Sequence, residues 1–116
     1  MGRSNEQLVQ NQIRVALGRG PVRLFRNNTG ALKDETGRLV RFGLAPGSSD
    51  LIGWRSVEIT PDMVGMVLAV FVAIEVKDRG KPTPQQLSFL EAVSNAGGIG
   101  GVARTADEAH RILFDL

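Results

Sequence analysis

The chain contains no cysteine and a single histidine among its 116 residues. The lack of cysteine excludes disulfides, thiolate zinc sites, iron–sulfur clusters and cysteine nucleophiles. One histidine also excludes a multi-histidine metal site within one chain. A metal ion bound by this protein would therefore rest mainly on oxygen ligands, which Mg²⁺, Mn²⁺ and Ca²⁺ prefer.

Long apolar segments are absent as well. The longest apolar run covers residues 63–74, twelve positions, and is too short to cross a bilayer. The first ten residues lack the apolar stretch of a secretory signal peptide. We therefore expect a protein with no membrane association and a cytoplasmic location. The length fits one domain over residues 1–116.

Charge is nearly balanced overall but unevenly distributed. The formal net charge is +2. Residues 1–43 hold eight Lys/Arg and three Asp/Glu, a net of +5, whereas residues 44–116 hold six and nine, a net of −3. A basic half is typical of proteins that bind a polyanion, although a solvated, arginine-rich surface explains the same count.

Apolar periodicity and turn residues predict an α/β protein with the element order αββββαβα. Capping boxes at Ser4–Gln7, Thr83–Gln86 and Thr105–Glu108 predict the three helix starts, and Pro84 suits the first helical position. The predicted strands cover residues 22–26, 38–42, 48–54, 67–77 and 99–103.

The fourth predicted strand is almost continuously apolar, which is typical of a central strand buried on both faces. The strand–helix–strand unit over residues 67–103 predicts a parallel pair. The earlier strands can pair antiparallel through short turns. We therefore expect one mixed central β-sheet flanked by helices. Residues 97–101, rich in glycine, precede a strand and so indicate a helix stop and close packing, not a nucleotide-binding loop.

Three charged residues stand at the ends of predicted core strands. Glu75 and Lys77 are two positions apart and so share one face of the fourth strand, and Asp50 leads into the third. Charges at such positions are costly unless they are paired or bound to a ligand. One hypothesis is a Mg²⁺ or Mn²⁺ site formed by Asp50, Glu75, the Val76 carbonyl and water, with Lys77 beside the attacking water. The alternative is a surface ion pair and a turn aspartate.

Four motifs, in this order, resemble the virus-type replication-repair nuclease (VRR-NUC) domain of the PD-(D/E)XK nuclease superfamily. They are Arg-Asn-Asn-Thr-Gly at residues 26–30, Phe-Gly-Leu-Ala-Pro-Gly-Ser-Ser-Asp-Leu-Ile-Gly at 42–53, Ile-Glu-Val-Lys at 74–77, and Thr-Pro-Gln-Gln-Leu-Ser-Phe-Leu at 83–90. The resemblance extends from about residue 6 to about residue 104. It implies a restriction-endonuclease-like core. A chain with this domain and little else resembles the stand-alone bacteriophage members, which implies a phage protein in the cytoplasm of a bacterial host, or else a bacterial cytoplasmic protein.

Five residues match functional positions of that family. The resemblance implies that Asp50 and Glu75 bind the metal ion, that Lys77 is the catalytic lysine, and that Glu6 on the first helix assists the metal shell. Gln86 matches a glutamine that borders the active site. The superfamily's proline is not adjacent to the aspartate here, since Pro46 lies four residues before Asp50.

Each of these residues also has a simpler structural explanation. Glu6 suits the first turn of a helix, where its charge favours the dipole, and Gln86 is explained by the capping box. Six further residues are candidates for contact with the DNA backbone, or else ordinary turn, strand-end and loop residues: Arg26, Asn28, Ser48, Ser49, Arg79 and Lys81.

The resemblance implies a Mg²⁺- or Mn²⁺-dependent endonuclease that hydrolyses DNA phosphodiester bonds, with branched, junction-like DNA as substrate in replication, recombination or repair. A chain this short offers little surface to hold a junction, and a two-fold symmetric junction suits a C₂ homodimer, which we expect. Two alternatives stay open: a non-catalytic nucleic-acid-binding module and a protein-interaction subunit with the nuclease fold.

Overall fold

Three α-helices and six β-strands make up the described part of the chain, which is residues 2–115 of a computed structural model, with the backbone alone for residues 2–4. In chain order they are α1 (Gly2–Leu17), β1 (Val22–Arg26), β2 (Gly30–Lys33), β3 (Leu39–Phe42), β4 (Leu51–Arg55), β5 (Val72–Val76), α2 (Pro84–Asn95), β6 (Ile99–Ala103) and α3 (Ala106–Phe114), with a short 3₁₀ helix at Pro61–Met63. The protein is therefore α/β. It divides into two compact units, residues 1–55 and 56–116.

The first unit is organised around the antiparallel pair β1–β4. Its register runs from Val22 opposite Arg55 to Arg26 opposite Leu51. Gly53 faces Leu24 across this pair, and a Cβ atom at Gly53 would overlap the carbonyl oxygen of Arg23. The two strands can approach this closely because position 53 carries no side chain.

The strands β2 and β3 form an antiparallel hairpin with two different faces. The register pairs Gly30 with Phe42 and Leu32 with Val40, which places apolar residues on one face, while Lys33 and Arg41 belong to the other. The Phe42 ring covers the space above Gly30, where a Cβ atom would collide with it. All eight strand residues are exposed.

The second unit contains the parallel pair β5–β6, with Val72 opposite Ile99 and Val76 opposite Ala103. The helix α2 connects the two strands, so the predicted strand–helix–strand unit is confirmed. Its packing depends on the glycines of β6: a Cβ at Gly100 would lie 3.0 Å from the Leu90 carbonyl oxygen on α2, and one at Gly101 would lie 2.8 Å from Ile112 of α3. The buried residues of this unit lie on α2 and β6: Leu90, Val93 and Ala103.

Thr83 and Thr105 are helix N-caps as predicted, and the capping box is complete at α2. Thr83 accepts a hydrogen bond from the Gln86 amide at 3.2 Å, and the Gln86 side chain accepts one from the Thr83 amide at 2.9 Å. Thr105 likewise accepts from the Glu108 amide at 3.1 Å, but the Glu108 carboxylate accepts from the Arg104 amide instead of closing the box.

The predicted start of the first helix is wrong. The helix begins at Gly2, so Ser4 lies inside it and not at its N-cap, and Glu6 is not in the first turn. A capping-box spacing can also occur inside a helix. The helix then begins before the serine, because the residues that precede it, here including Arg3, also tolerate helical backbone angles. The structure thus does not support the explanation of Glu6 as a first-turn acid.

The predicted strand order lacks one element and two strand starts are displaced. Residues 30–33 form β2, a strand that the turn-like sequence before it concealed, so five strands and not four precede α2. β4 starts at Leu51 because the Ser48 amide bonds back to Ala45 in a turn. β5 starts at Val72 because its partner β6 begins at Ile99, directly after the glycines that end α2. Just before β5, the Phe71 carbonyl accepts from the Ile99 amide at 2.9 Å.

The six strands form three two-stranded pairs, two antiparallel and one parallel, each within one unit. The exposed fraction is 42% for Val72 and 72% for Val76, so β5 is not buried on both faces as its apolar sequence predicts. None of the helices within residues 2–115 has the length and apolar composition needed to cross a membrane.

Candidate metal and nucleic-acid site

Two predicted metal ligands of the first unit share a cavity. Glu6 on α1 and Asp50, directly before β4, both line a polar cavity of about 140 Å³. Gln10, one helical turn after Glu6, lines it as well. The two acids also border a second, more apolar cavity of about 550 Å³ on the same unit. The fold therefore brings together two carboxylates that are far apart in sequence.

The polar cavity also contains predicted nucleic-acid contacts. Arg26, at the end of β1, and Asn28, in the turn after it, line it together with Glu6 and Asp50. Among the described residues, neither carboxylate forms an ion pair with Arg26. The ion pair found among them is Lys77–Glu75, in the second unit. A cation beside two acids suits a place where a phosphate approaches a carboxylate-bound metal ion.

The loop of residues 44–50 carries Asp50 and is held by Asn27. The Asn27 side chain donates to Ser48 Oγ at 2.7 Å and to the Ser49 carbonyl at 2.9 Å. Its oxygen accepts from the Leu44 amide at 3.2 Å. Ser48 is thus half-buried within the loop, whereas Ser49 is exposed at its surface.

Glu75 and Lys77 form the predicted charged pair of the second unit. Lys77 Nζ lies 3.7 Å from Glu75 Oε1, and the side chains are 22% and 28% exposed, respectively. The Lys77 amide donates to the Ala103 carbonyl at 3.1 Å, which continues the β5–β6 pairing beyond Val76. The shared strand face predicted for the two residues is confirmed.

Gln86 and Glu75 line one cavity of about 570 Å³, between β5 and the start of α2. The Gln86 Oε1 atom is used by the capping box, and its amide nitrogen donates no hydrogen bond to another described residue. Gln85 lines the same cavity. Gln86 can therefore cap the helix with its oxygen and still lie beside Glu75 in the cavity.

Arg79 and Lys81 are exposed in the loop between β5 and α2. This loop is bonded to the residue directly after β6, because Arg104 Nη2 donates to the Gly80 carbonyl at 2.8 Å. The two cations flank that anchored glycine, close in sequence to Lys77. They are accessible to a phosphate backbone, as a DNA contact requires.

The donor chemistry of the first unit fits a hard divalent cation. Mg²⁺ is commonly held by one or two carboxylates, with water at the other positions, and Glu6 and Asp50 supply two carboxylates to one cavity. Across the described residues no group of three or more acidic or histidine side chains comes together as a metal cluster. Glu75 and Val76 belong to the second unit.

The residues at these cavities that sequence reasoning missed include Gln10, Asn27 and Gln85. Gln10 follows Glu6 by four positions, a spacing that places both on one helix face and could have identified it. Gln85 precedes the predicted Gln86. Asn27 is part of the motif of residues 26–30, but its role in the loop was not predictable, since its partners lie 17 to 22 residues away in the sequence.

Comparison of the chain with protein-family models, with curated proteins and with solved structures gave no match.

Proposed function

We propose that this protein is a Mg²⁺- or Mn²⁺-dependent DNA endonuclease of the VRR-NUC type, with the core of a PD-(D/E)XK nuclease. The convergence of Glu6 and Asp50 on one polar cavity that also holds Arg26 carries the proposal. A helix acid and a turn acid have no structural need to meet, and carboxylates repel DNA phosphate unless a cation lies between them.

In this proposal the metal ion is held by Asp50 and Glu75, assisted by Glu6 and the Val76 carbonyl. A bound Mg²⁺ or Mn²⁺ ion would polarise the scissile phosphate and favour ionisation of the attacking water.

Lys77 has a separate role. Its ammonium group is held by Glu75 at 3.7 Å and can donate a hydrogen bond to the attacking water or to a phosphate oxygen. The Gln86 amide nitrogen, at the same cavity as Glu75, can donate to a second phosphate oxygen. Such donors stabilise the charge that develops as the phosphodiester bond breaks.

The substrate in this proposal is branched or otherwise structured DNA in the cytoplasm of a bacterial host. Arg26, Asn28, Ser48, Ser49, Arg79 and Lys81 contact its backbone, supported by the +5 charge of residues 1–43. A homodimer places two sites on a two-fold symmetric junction. Sedimentation that shows only monomer at micromolar concentration would contradict the dimer without affecting the chemistry.

The first test is nicking of supercoiled plasmid and of a panel of flap, fork, four-way junction, single-stranded and duplex DNA. Wild-type protein is expected to cut with Mg²⁺ or Mn²⁺ and not in EDTA. Asp50→Asn, Glu75→Gln and Lys77→Met should each reduce the rate by at least about 100-fold, because each removes a ligand or a catalytic donor.

The matched control is Glu91→Gln, which neutralises an acid on α2 outside the cavities described above. It should retain wild-type activity. Cutting that survives in EDTA or in Glu75→Gln would refute the metal-dependent mechanism. DNA binding without cutting under any metal condition would favour the non-catalytic binding module instead.

A further inference from the structure

Asn27 connects the end of β1 to the loop that carries Asp50. It directly follows Arg26, the last residue of β1, and its backbone amide donates to the Asp50 carbonyl at 2.8 Å. This bond extends the β1–β4 ladder by one step beyond the Arg26–Leu51 pair. The backbone of Asp50 is therefore fixed through Asn27.

The Asn27 side chain holds the rest of the same loop at both ends. Its Oδ1 atom accepts from the Leu44 amide at 3.2 Å, near the start of the loop. Its Nδ2 group donates to Ser48 Oγ and to the Ser49 carbonyl at 2.7 and 2.9 Å, near the end. Within residues 44–50, the other backbone hydrogen bond is the internal turn from the Ser48 amide to the Ala45 carbonyl.

An asparagine is the residue that this arrangement requires. The loop presents one amide N–H on one side and two oxygens on the other, so the side chain has to accept and donate at once. Aspartate keeps the acceptor for Leu44 but replaces the donor with an oxygen that faces the Ser49 carbonyl. Alanine removes all three bonds.

We propose that Asn27 is a positioning residue that holds residues 44–50 in place and thereby directs the Asp50 carboxylate into the cavity it shares with Glu6. The effect on catalysis rests on the proposed nuclease function, whereas the effect on the loop does not. Asn27 itself lines this cavity, half-buried, beside both acids.

The first experiment measures amide hydrogen exchange of the full-length protein by NMR. In Asn27→Asp the Leu44 amide keeps its acceptor, while in Asn27→Ala its protection should fall at least about tenfold, because its single recorded partner is lost. The matched control is Asp34→Ala, which removes a comparable set of side-chain bonds from the β2–β3 turn. Unchanged Leu44 protection in Asn27→Ala would overturn the proposal.

The second experiment measures nicking rate against Mn²⁺ concentration. Loss of a group that orients a ligand typically weakens metal affinity or activity by about 10- to 100-fold. The Mn²⁺ concentration for half-maximal rate should therefore rise about tenfold or more in Asn27→Ala, with the KM for DNA unchanged and much of the rate restored by excess Mn²⁺. Asp34→Ala should retain the wild-type Mn²⁺ dependence.

The two readouts separate the possible failures. A loosened loop with unchanged Mn²⁺ dependence would overturn the positioning role while the nuclease function stands. Equal losses in Asn27→Ala and Asp34→Ala would also overturn it, because general destabilisation would then explain the effect. If the wild-type protein cuts no DNA, the proposed function fails, and amide exchange alone decides whether Asn27 holds the loop.

Discussion

At the scale of single residues, Asp34 organises the turn between β2 and β3 with one carboxylate oxygen. Its Oδ1 accepts from the Thr36 amide and hydroxyl and from the Arg38 amide, at 2.7 to 2.9 Å. The hydrogen bond from the Thr36 side chain, together with the backbone amides, lowers the pKa of Asp34 below the 3.8 of an unperturbed aspartate. These bonds favour the charged form, because an ionised carboxylate is the better acceptor.

This lowered pKa predicts an acid-sensitive contribution to stability. A carboxylate whose pKa is lower in the folded than in the unfolded protein stabilises the fold above its unfolded pKa, and the contribution disappears as pH falls through the folded value. The difference in unfolding free energy between wild type and Asp34→Asn should therefore shrink below about pH 4. In a ¹³C NMR titration, Thr36→Val should raise the pKa of Asp34; an identical midpoint in both proteins would contradict the assignment.

Residues with local partners were predictable from sequence, and residues with distant partners were not. The bonds of Thr83 with Gln86 and of Thr105 with Glu108 span three positions, a spacing that sequence displays directly. The Glu75–Lys77 pair follows from strand alternation in the same way. The bonds of Asn27 span 17 to 22 positions, and only the β1–β4 pairing creates them.

At the scale of elements, variants in the first turn of α2 can distinguish the capping role of Gln86 from its proposed catalytic role. Thr83→Ala should lower the unfolding free energy by about 1 kcal/mol, because the Gln86 amide loses its capping partner. Gln86→Glu keeps an oxygen for the Thr83 amide and places a negative charge at the helix N-terminus, so stability in urea should be retained. Its nicking rate should nevertheless fall by about tenfold or more, since the amide donor is gone.

The comparison of these two variants decides whether Gln86 acts in catalysis or only in the helix cap. Thr83→Ala changes the cap without removing the Gln86 side chain, and so should be less stable yet active. If Gln86→Glu is as active as wild type, Gln86 serves the helix cap alone and its match to the family's glutamine has no functional meaning.

Elements were predictable where a local pattern sets both ends, as in α2, and less so where a partner strand sets them. Residues 67–71 have the composition of a strand, yet β5 begins at Val72 because its partner β6 begins at Ile99. β2 was not predicted because its short sequence begins at Gly30 and resembles a turn. Its partner β3 makes it a strand, and Phe42 of that strand covers the glycine.

At the scale of the whole molecule, the proposed chemistry is divided between two units. Asp50 belongs to the unit of residues 1–55, and Glu75 and Lys77 belong to that of residues 56–116. The basic surplus of residues 1–43 is likewise in the first unit, and the acidic surplus of residues 44–116 lies entirely in the second, where residues 56–116 have a net charge of −3. The proposed mechanism requires that Asp50 and Glu75 bind the same ion.

That requirement can be measured as coupling between Asp50 and Glu75. A ligand that binds only the folded protein stabilises it by RT ln(1 + [L]/Kd), or about 1.4 kcal/mol at ten times Kd. Mn²⁺ should raise the unfolding free energy of wild type by this amount relative to EDTA. Asp50→Asn and Glu75→Gln should each abolish most of the increase, and the double variant should lose no more than either, because both remove ligands of the same ion.

The single tryptophan makes the readout specific to one unit. Trp54 lies in β4 of the first unit, so its fluorescence in urea reports unfolding there, while far-UV circular dichroism reports both units. Loss of Mn²⁺ stabilisation at Trp54 on substitution of Glu75, which lies in the other unit, would link the two acids through one ion. Glu91→Gln should leave the increase intact. Additive losses in the double variant would mean separate metal sites and would exclude the shared ion on which the proposed mechanism depends.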